Sequence, residues 1–230
     1  MARPRKIDSP DEFTATEVRI AGNISEGNMK MLRRGCLFPE PMAPSDGKAG
    51  YGLYGRKSVD RASIAGGLVY GGVELVAAAR LAKEIMHPEH FGGVTDNLEY
   101  ATRAEEPPIP GEAWRGDQIL TIVGRQYVFV DIYDPIRQWA SETPVLTIYG
   151  WESGQTPLFV PNIDRVSDSF IGPGEDGWIP WQAEIDRVDN EARAARRRAV
   201  ALLQINLSLA CRNGLDAILA HRAQRQRPQS

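Results

Sequence analysis

The sequence predicts an α+β fold in which short helices precede a small antiparallel β-sheet and a long C-terminal helix. Apolar side chains recur at helical spacing before residue 86 and after residue 185. Between them, two β-rich runs flank the turn-forming pair Gly124-Arg125. These two periodicities predict helices and strands respectively. A chain of 230 residues that is 42% apolar and 25% charged is typical of one large or two modest globular domains.

The first predicted domain covers residues 11–86 and begins with two short helices. Asp11 or Thr14 can cap the first helix, which ends before Gly22-Asn23. Ser25 can cap the second helix, which ends at Gly35. We expect Met29 and Leu32, with Val18 and Ile64, to lie in the core.

A hairpin and two more helices complete this domain. Residues 38–55 are rich in proline and glycine, which predicts a two-stranded hairpin with a long tip. Helices follow over residues 58–69 and 73–86. The second of these carries an apolar stripe at helical spacing, made of Val73, Val76, Ala77, Leu81 and Ile85.

The second predicted domain, residues 117–221, follows a linker over residues 87–116. Its first hairpin joins residues 118–123 to residues 126–133, and residues 145–149 and 157–160 supply a second strand pair. The short connections indicate antiparallel pairing. Residues 185–221 form one continuous helical pattern with an apolar middle. The polar ends, residues 1–10 and 222–230, are predicted to be disordered.

Charge is distributed unevenly along the chain, although the net charge is only −3. Residues 1–86 carry a net charge of +3, residues 87–190 carry −12, and residues 191–230 carry +6. Basic ends suggest contact with nucleic acid, and the acidic middle is either a solvated surface or a face for another partner. Arginines before the apolar middle of the last helix, such as Arg193, Arg196, Arg197 and Arg198, could instead pair with the acidic segment.

Several classes of protein are disfavoured. No apolar run reaches the ~20 residues that span a bilayer, so we expect no membrane partner. The distant Cys36 and Cys211 form no disulfide framework or metal motif, which suits the cytoplasm. His87 and His90 alone are too few for a metal site, and no phosphate loop or hydrolase motif occurs. We therefore expect no enzyme, no metal and no cofactor.

Four segments of the chain carry a resemblance to a known family. They are FTATEVRIAGNIS, EGNMKMLRRGCLFP, AGYGLYGRKSVDRASIAGGL and VYGGVELVAAARLAKEI. Together they resemble the MerR family of transcription regulators. The resemblance covers about the N-terminal third of the chain. It implies a winged helix-turn-helix domain that binds double-stranded DNA and a C-terminal part that dimerises or binds a small-molecule or protein effector. The chain departs from the family at Gly52, where an arginine is usual, and at Met31 and Leu32, where aromatic residues are usual.

The second helix has an apolar face that can pack on the protein and a polar face that can meet DNA. A recognition helix that enters a major groove ~12 Å wide requires both. We expect base-edge contacts from Ser25, Glu26, Asn28 and Lys30. Phosphate contacts are expected from Arg33, Arg34, Lys48, Arg56 and Lys57. Tyr51 and Tyr54 belong to the wing, where they either touch DNA or pack the wing onto the body.

Three alternatives stay open. The chain could be a protein-interaction or ligand-binding module that keeps the winged fold without binding DNA. Its tryptophans, Trp139, Trp151, Trp178 and Trp181, could line a pocket or fill the core under the sheet. The last helix could pair two subunits of a homodimer, or it could cover the sheet within one chain.

Overall fold

The computed structural model describes residues 11–42, 52–86, 112–133, 144–151, 157–161 and 181–226. The helices are α1 (Ala15–Ala21), α2 (Glu26–Arg34), α3 (Arg56–Tyr70), α4 (Leu75–Ile85), α5 (Trp181–Arg198) and α6 (Leu207–Gln226). The strands are β1 (Gln118–Val123), β2 (Tyr127–Ile132), β3 (Leu146–Tyr149), β4 (Leu158–Pro161) and β5 (Leu202–Asn206). The mixed α+β class is therefore confirmed. In the described ranges, no helix is both long enough and apolar enough to span a bilayer.

The five strands form one antiparallel sheet in the order β4-β3-β2-β1-β5. The predicted hairpin of β1 and β2 is confirmed, with a connection one residue longer than expected. Gly124 and Arg125 both have positive φ, +55° and +57°, and the Gln126 N–H donates to the Val123 carbonyl at 3.0 Å. Paired left-handed residues of this kind match the right-handed twist of the two strands.

Helices cover both faces of the sheet. On one face, Leu120, Ile122 and Val128 pack with buried residues of α3, α4 and α6 in a single core. On the other face, Val123 and Phe129 pack against Ala192 of α5. The alternation of side chains along β1 explains both contacts, since successive residues point to opposite faces.

The main core does not divide at residues 87–116, where the sequence predicts a linker. One cluster of buried side chains joins Ile64 and Leu81 of the N-terminal helices to Leu120 and Leu146 of the sheet. The helices before residue 86 and the sheet after residue 117 therefore share a hydrophobic core.

The predicted long C-terminal helix is present as α6, but the prediction that one continuous helix covers residues 185–221 is wrong. The chain leaves α5 after Arg198, runs through β5 and re-enters a helix at Leu207. The apolar run that looked like the middle of one helix is an edge strand followed by the buried start of α6. An apolar run of this length does not distinguish a strand from a buried helix, and the backbone of β1 decides the outcome.

The prediction that the chain is disordered from residue 222 is also wrong for residues 222–226, because α6 continues to Gln226. α6 packs against α1 and α3, and its Ile218 is fully buried. The predicted disorder of residues 1–10 and 227–230 lies outside the described residues.

Candidate nucleic-acid interface

A four-residue turn joins α1 to α2. Thr14 begins α1 with a capping box: its Oγ1 accepts from the Glu17 N–H at 3.2 Å, and Glu17 Oε2 accepts from the Thr14 N–H at 2.7 Å. Asn23 takes a positive φ of +49° in the turn. Ser25 then caps α2 by accepting from the Asn28 N–H at 3.1 Å, as the sequence predicts. Two caps and a short turn fix the direction in which α2 leaves α1.

The underside of α2 is apolar and holds the helix on the body of the protein. Leu32 is buried and Met29 is partly buried, and both belong to a second core cluster with Val18, Ile24 and Phe38. The predictions that Val18, Met29, Leu32 and Ile64 lie in or against the core are confirmed.

The outer face of α2 carries the candidate contact residues. Exposed positions on this helix are Glu26, Gly27, Asn28, Lys30, Met31, Arg33 and Arg34, and the capping Ser25 is also exposed. Lys57, at the start of α3, is exposed as well. The structure thus leaves most of the predicted contacts on α2 accessible to a partner.

Lys30 and Glu26 form an ion pair along this face, with Nζ and Oε1 2.8 Å apart. The hydrogen bond from Lys30, aided by its charge, holds the pKa of Glu26 below its ordinary range. The two side chains are 64% and 70% exposed. Such exposed pairs contribute little stability and are screened by salt, so a phosphate can compete for Lys30.

Arg33 is held in place by two aromatic side chains. Its guanidinium lies 5.1 Å from the ring centroid of Phe38, and its Nη2 donates to the Tyr54 hydroxyl at 3.3 Å. Phe38 and Tyr54 themselves meet edge to face with their centroids 6.0 Å apart. An arginine stacked in this way keeps donors in a fixed plane, which suits phosphate recognition.

Burial argues against two of the predicted DNA contacts, those of Tyr54 and Arg56. Tyr54 is only 4% exposed, and its backbone pairs with Phe13, so it packs the segment onto the body and cannot reach DNA. Arg56 is mostly covered and its Nε donates to Asp60 Oδ1 at 2.9 Å. Its charge is therefore offset by a buried carboxylate.

Only the base of the predicted hairpin lies within the described residues. The Met42 N–H donates to the Leu53 carbonyl at 2.8 Å, as paired strands require. Lys48 and Tyr51, with the tip of the predicted wing, lie outside the described residues. Their DNA contacts stay predictions.

Sequence reasoning missed the residues that hold α1 from the other end of the chain. Arg222 of α6 donates from Nε to Glu17 Oε1 at 2.7 Å and from Nη2 to the Glu12 carbonyl at 2.8 Å. Its guanidinium also lies 5.2 Å from the ring centroid of Phe13. The partners are 205 positions apart, so no local pattern could have revealed the pair.

Two glycines allow close packing around the helix pair. A Cβ on Gly66 of α3 would lie 2.3 Å from the Gly22 carbonyl oxygen in the turn. A Cβ on Gly214 of α6 would lie 2.0 Å from Ser63 Oγ. Only glycine fits at either position without movement, so the turn before α2 is seated directly on the α3 backbone.

The basic C-terminal segment is partly neutralised within the chain. Arg196 of α5 makes two hydrogen bonds to Asp131 on β2, at 3.0 and 2.6 Å, and stacks over Phe129. Arg212 of α6 makes two to the buried Asp117, at 2.7 and 2.8 Å. These contacts favour internal pairing of the acidic and basic segments, one of the two alternatives from the sequence.

Within the described residues, no tryptophan lines a ligand pocket that the structure shows. Trp151 is partly buried and packs against the main core, and Arg125 lies over its ring. Trp181 begins α5, whereas Trp139 and Trp178 lie outside the described residues. Trp151 thus contributes to the core under the sheet.

Within the described ranges, no three His, Cys, Asp or Glu side chains are placed to hold a metal ion. His87 and His90 lie outside those ranges. Burial raises the pKa of the Cys211 thiol well above its ordinary value, aided by the nearby charge of Asp60. Cys211 is therefore an inert thiol of the core.

No protein-family model matches the chain, and no curated protein matches it significantly.

Proposed function

We propose that the chain binds double-stranded DNA through the outer face of α2 and acts as a transcription regulator of the MerR-like type. The proposal is carried by one observation. A nine-residue helix follows a four-residue turn, is fixed by its caps and its apolar underside, and leaves Asn28, Lys30 and Arg34 exposed. A short helix presented in this way can enter a major groove.

Each exposed residue has a distinct role in this proposal. Asn28 and Lys30, near the N-terminal end of α2, would read base edges, because recognition helices contact bases with their first turns. Arg33, Arg34 and Lys57 neutralise phosphates and set the orientation of the protein on the duplex. Glu26 releases Lys30 when a phosphate or base replaces its carboxylate.

Fluorescence anisotropy of the full chain tests this proposal with two labelled duplexes, the DNA upstream of its own coding sequence and a random duplex. Binding should weaken steeply between about 50 and 200 mM salt, since each phosphate contact contributes about −0.9 to the log–log slope. The double variant Lys30→Ala, Arg34→Ala should bind several-fold more weakly, with a slope shallower by about 1 to 2. Arg197→Ala removes an exposed arginine from α5 and is the matched control.

The proposal fails if the wild-type chain binds neither duplex at low salt. It also fails if the α2 double variant and Arg197→Ala bind DNA as tightly as each other.

One observation favours a second function, binding of a protein partner by the same face. Met31 is 44% exposed in the middle of α2. Methionine is enriched at protein interfaces and depleted on solvated surfaces. In this case Met31→Ser weakens capture of the partner, whereas raising the salt concentration has little effect on it.

A further inference from the structure

Strand β5 is an edge of the sheet. Its residues pair with β1 on one side, from Leu202 opposite Val123 to Asn206 opposite Ile119. In the described part of the chain, no strand pairs with its other side. Backbone N–H and C=O groups of alternate residues therefore point away from β1, where they can pair with another strand.

The two edges of the sheet differ in how they resist such pairing. β4, the opposite edge, has Pro157 immediately before it and Pro161 as its last residue. Proline has no N–H to donate and is a common guard on edge strands. β5 has the sequence LLQIN, without proline or charge. Among the described strands, β4 therefore has prolines that hinder further pairing, whereas β5 has none.

Exposed apolar side chains lie in and near this strand. Val200 is fully exposed and Leu202 is 44% exposed, just before and within β5. At the end of α3, Tyr70 is 96% exposed. The end of α3 packs against one face of β5, because a Cβ on Gly71 would meet the side chains of Ile205 and Leu203 at 2.5 and 3.2 Å. Exposed aromatic and aliphatic residues grouped in this way are typical of interfaces.

We propose that β5 is a dimerisation edge, on which two copies of this chain pair β5 to β5 in antiparallel orientation and continue the sheet across a two-fold axis. An antiparallel pair of identical strands is self-complementary, as a two-fold interface must be. The register that pairs all five residues places Gln204 opposite its own copy. Leu203 then faces Ile205 of the partner subunit, and no charged side chain opposes another within the strand.

The dimer goes beyond DNA binding and uses a different surface from the helix that the sequence first indicates. Leu207, Cys211 and Ile218 of α6 are fully buried within the chain. α6 packs on α1 and α3, so its apolar side is already covered. A second copy is favoured over an unrelated extended peptide because the uncharged strand is complementary to itself.

Disulfide trapping tests the pairing and its register. Gln204→Cys, in a Cys36→Ser background that removes the exposed native thiol, should form a covalent dimer on mild oxidation, since directly opposed Cβ atoms lie ~5 Å apart. Lys83→Cys, at an exposed position on α4, controls for random collision. Equal yields from the two cysteine variants would overturn the proposal.

Sedimentation of the full chain gives an independent measurement. Gln204→Lys puts like charges in direct opposition and should weaken the dimer about fivefold or more, whereas Gln204→Ala should leave it dimeric. A monomeric wild-type chain at tens of micromolar, or a dimer unaffected by Gln204→Lys, would contradict the proposal. Trapping by Gln204→Cys still decides the case if the lysine variant does not fold. Neither experiment uses DNA, so a failure of dimerisation is distinct from a failure of DNA binding.

Discussion

Arg222 and Glu17 form an ion pair that fastens the C-terminal helix to the first helix of the candidate DNA-binding unit, with Nε and Oε1 2.7 Å apart. Glu17 is 5% exposed at its side chain and also closes the capping box with Thr14. One carboxylate thus accepts from the cap of α1 and from α6. The position of α1, and through the turn that of α2, depends on α6.

Removing this arginine should destabilise the protein. Arg222→Ala leaves the buried Glu17 carboxylate without its cationic partner, and we expect a loss of about 3 kcal/mol in the free energy of unfolding. Urea denaturation followed by circular dichroism measures it. Arg225→Ala, one turn further at an exposed position, should change stability by less than about 0.5 kcal/mol. Similar losses in the two variants would show that the ion pair does not fasten α1.

Stability should fall in acid because buried carboxylates are paired in the folded state. Burial alone would raise the pKa of Glu17, but hydrogen bonds from Arg222 and Thr14 lower it below the ordinary 4.5. The pKa of Asp117 is lowered below 3.8 in the same way, with Arg212, the Trp114 N–H and Asn206 outweighing burial. A lowered folded pKa stabilises the protein above the unfolded pKa, and this stability is lost as the pH falls through the folded value.

Denaturation as a function of pH checks this expectation. The free energy of unfolding should decrease as the pH falls below about 4.5. Glu17→Gln is less stable than wild type at neutral pH and should show a smaller decrease over the same range. Glu112→Gln, at an exposed position, should retain the wild-type decrease. An unchanged decrease in Glu17→Gln would remove Glu17 from the explanation.

Two glycine-to-alanine changes should have opposite signs. At Gly66, a methyl group would approach the backbone carbonyl of Gly22 to 2.3 Å and force the turn before α2 away from α3. We expect a loss of about 2 kcal/mol or more, as in other overpacked sites. At Gly27 on α2, a methyl group meets nothing within 4 Å, and alanine should stabilise the helix by about 0.5 kcal/mol. Thermal unfolding of both variants tests the packing of the turn.

The contact between α5 and the sheet can be measured with a double-mutant cycle. Arg196 and Asp131 have side chains 17% and 7% exposed, so their pairing should be worth more than a surface ion pair. We expect a coupling of about 1 to 3 kcal/mol between Arg196→Ala and Asp131→Ala. The cycle of Arg197→Ala with Asp131→Ala, for an exposed neighbour on α5, should give a coupling near zero. Equal couplings would argue against α5 lying over β2.

Local features of this fold were readable from the sequence. Ser25 caps α2 and Gly35 ends it because a hydroxyl before a helix and a glycine after it satisfy nearby backbone groups. The β1–β2 hairpin follows from Gly124-Arg125 between two β-rich runs. These signals act within a few residues and do not need the rest of the chain.

Features that depend on distant partners were not readable. β5 is a strand because the edge of β1 offers hydrogen bonds to Leu202–Asn206, although the flanking residues favour helix. The burial of Tyr54 follows from its pairing with Phe13, and that of Arg56 accompanies its bond to Asp60. In the candidate site, the sequence therefore identified the exposed residues of α2 but not which of their neighbours are structural.

The bond between Arg222 and Glu17 also has a consequence for synthesis. Arg222 is the residue that the ribosome adds 205 positions after Glu17, which takes on the order of 10 to 40 s at typical rates. During that time α1 lacks the helix that buries one of its sides, and the apolar residues around Phe13 have no cover from α6. A nascent chain interrupted before Leu207 would carry α2 and its exposed cations on a helix pair that α3 contacts but α6 does not yet hold, so translation itself delays the assembly of the candidate DNA-binding surface.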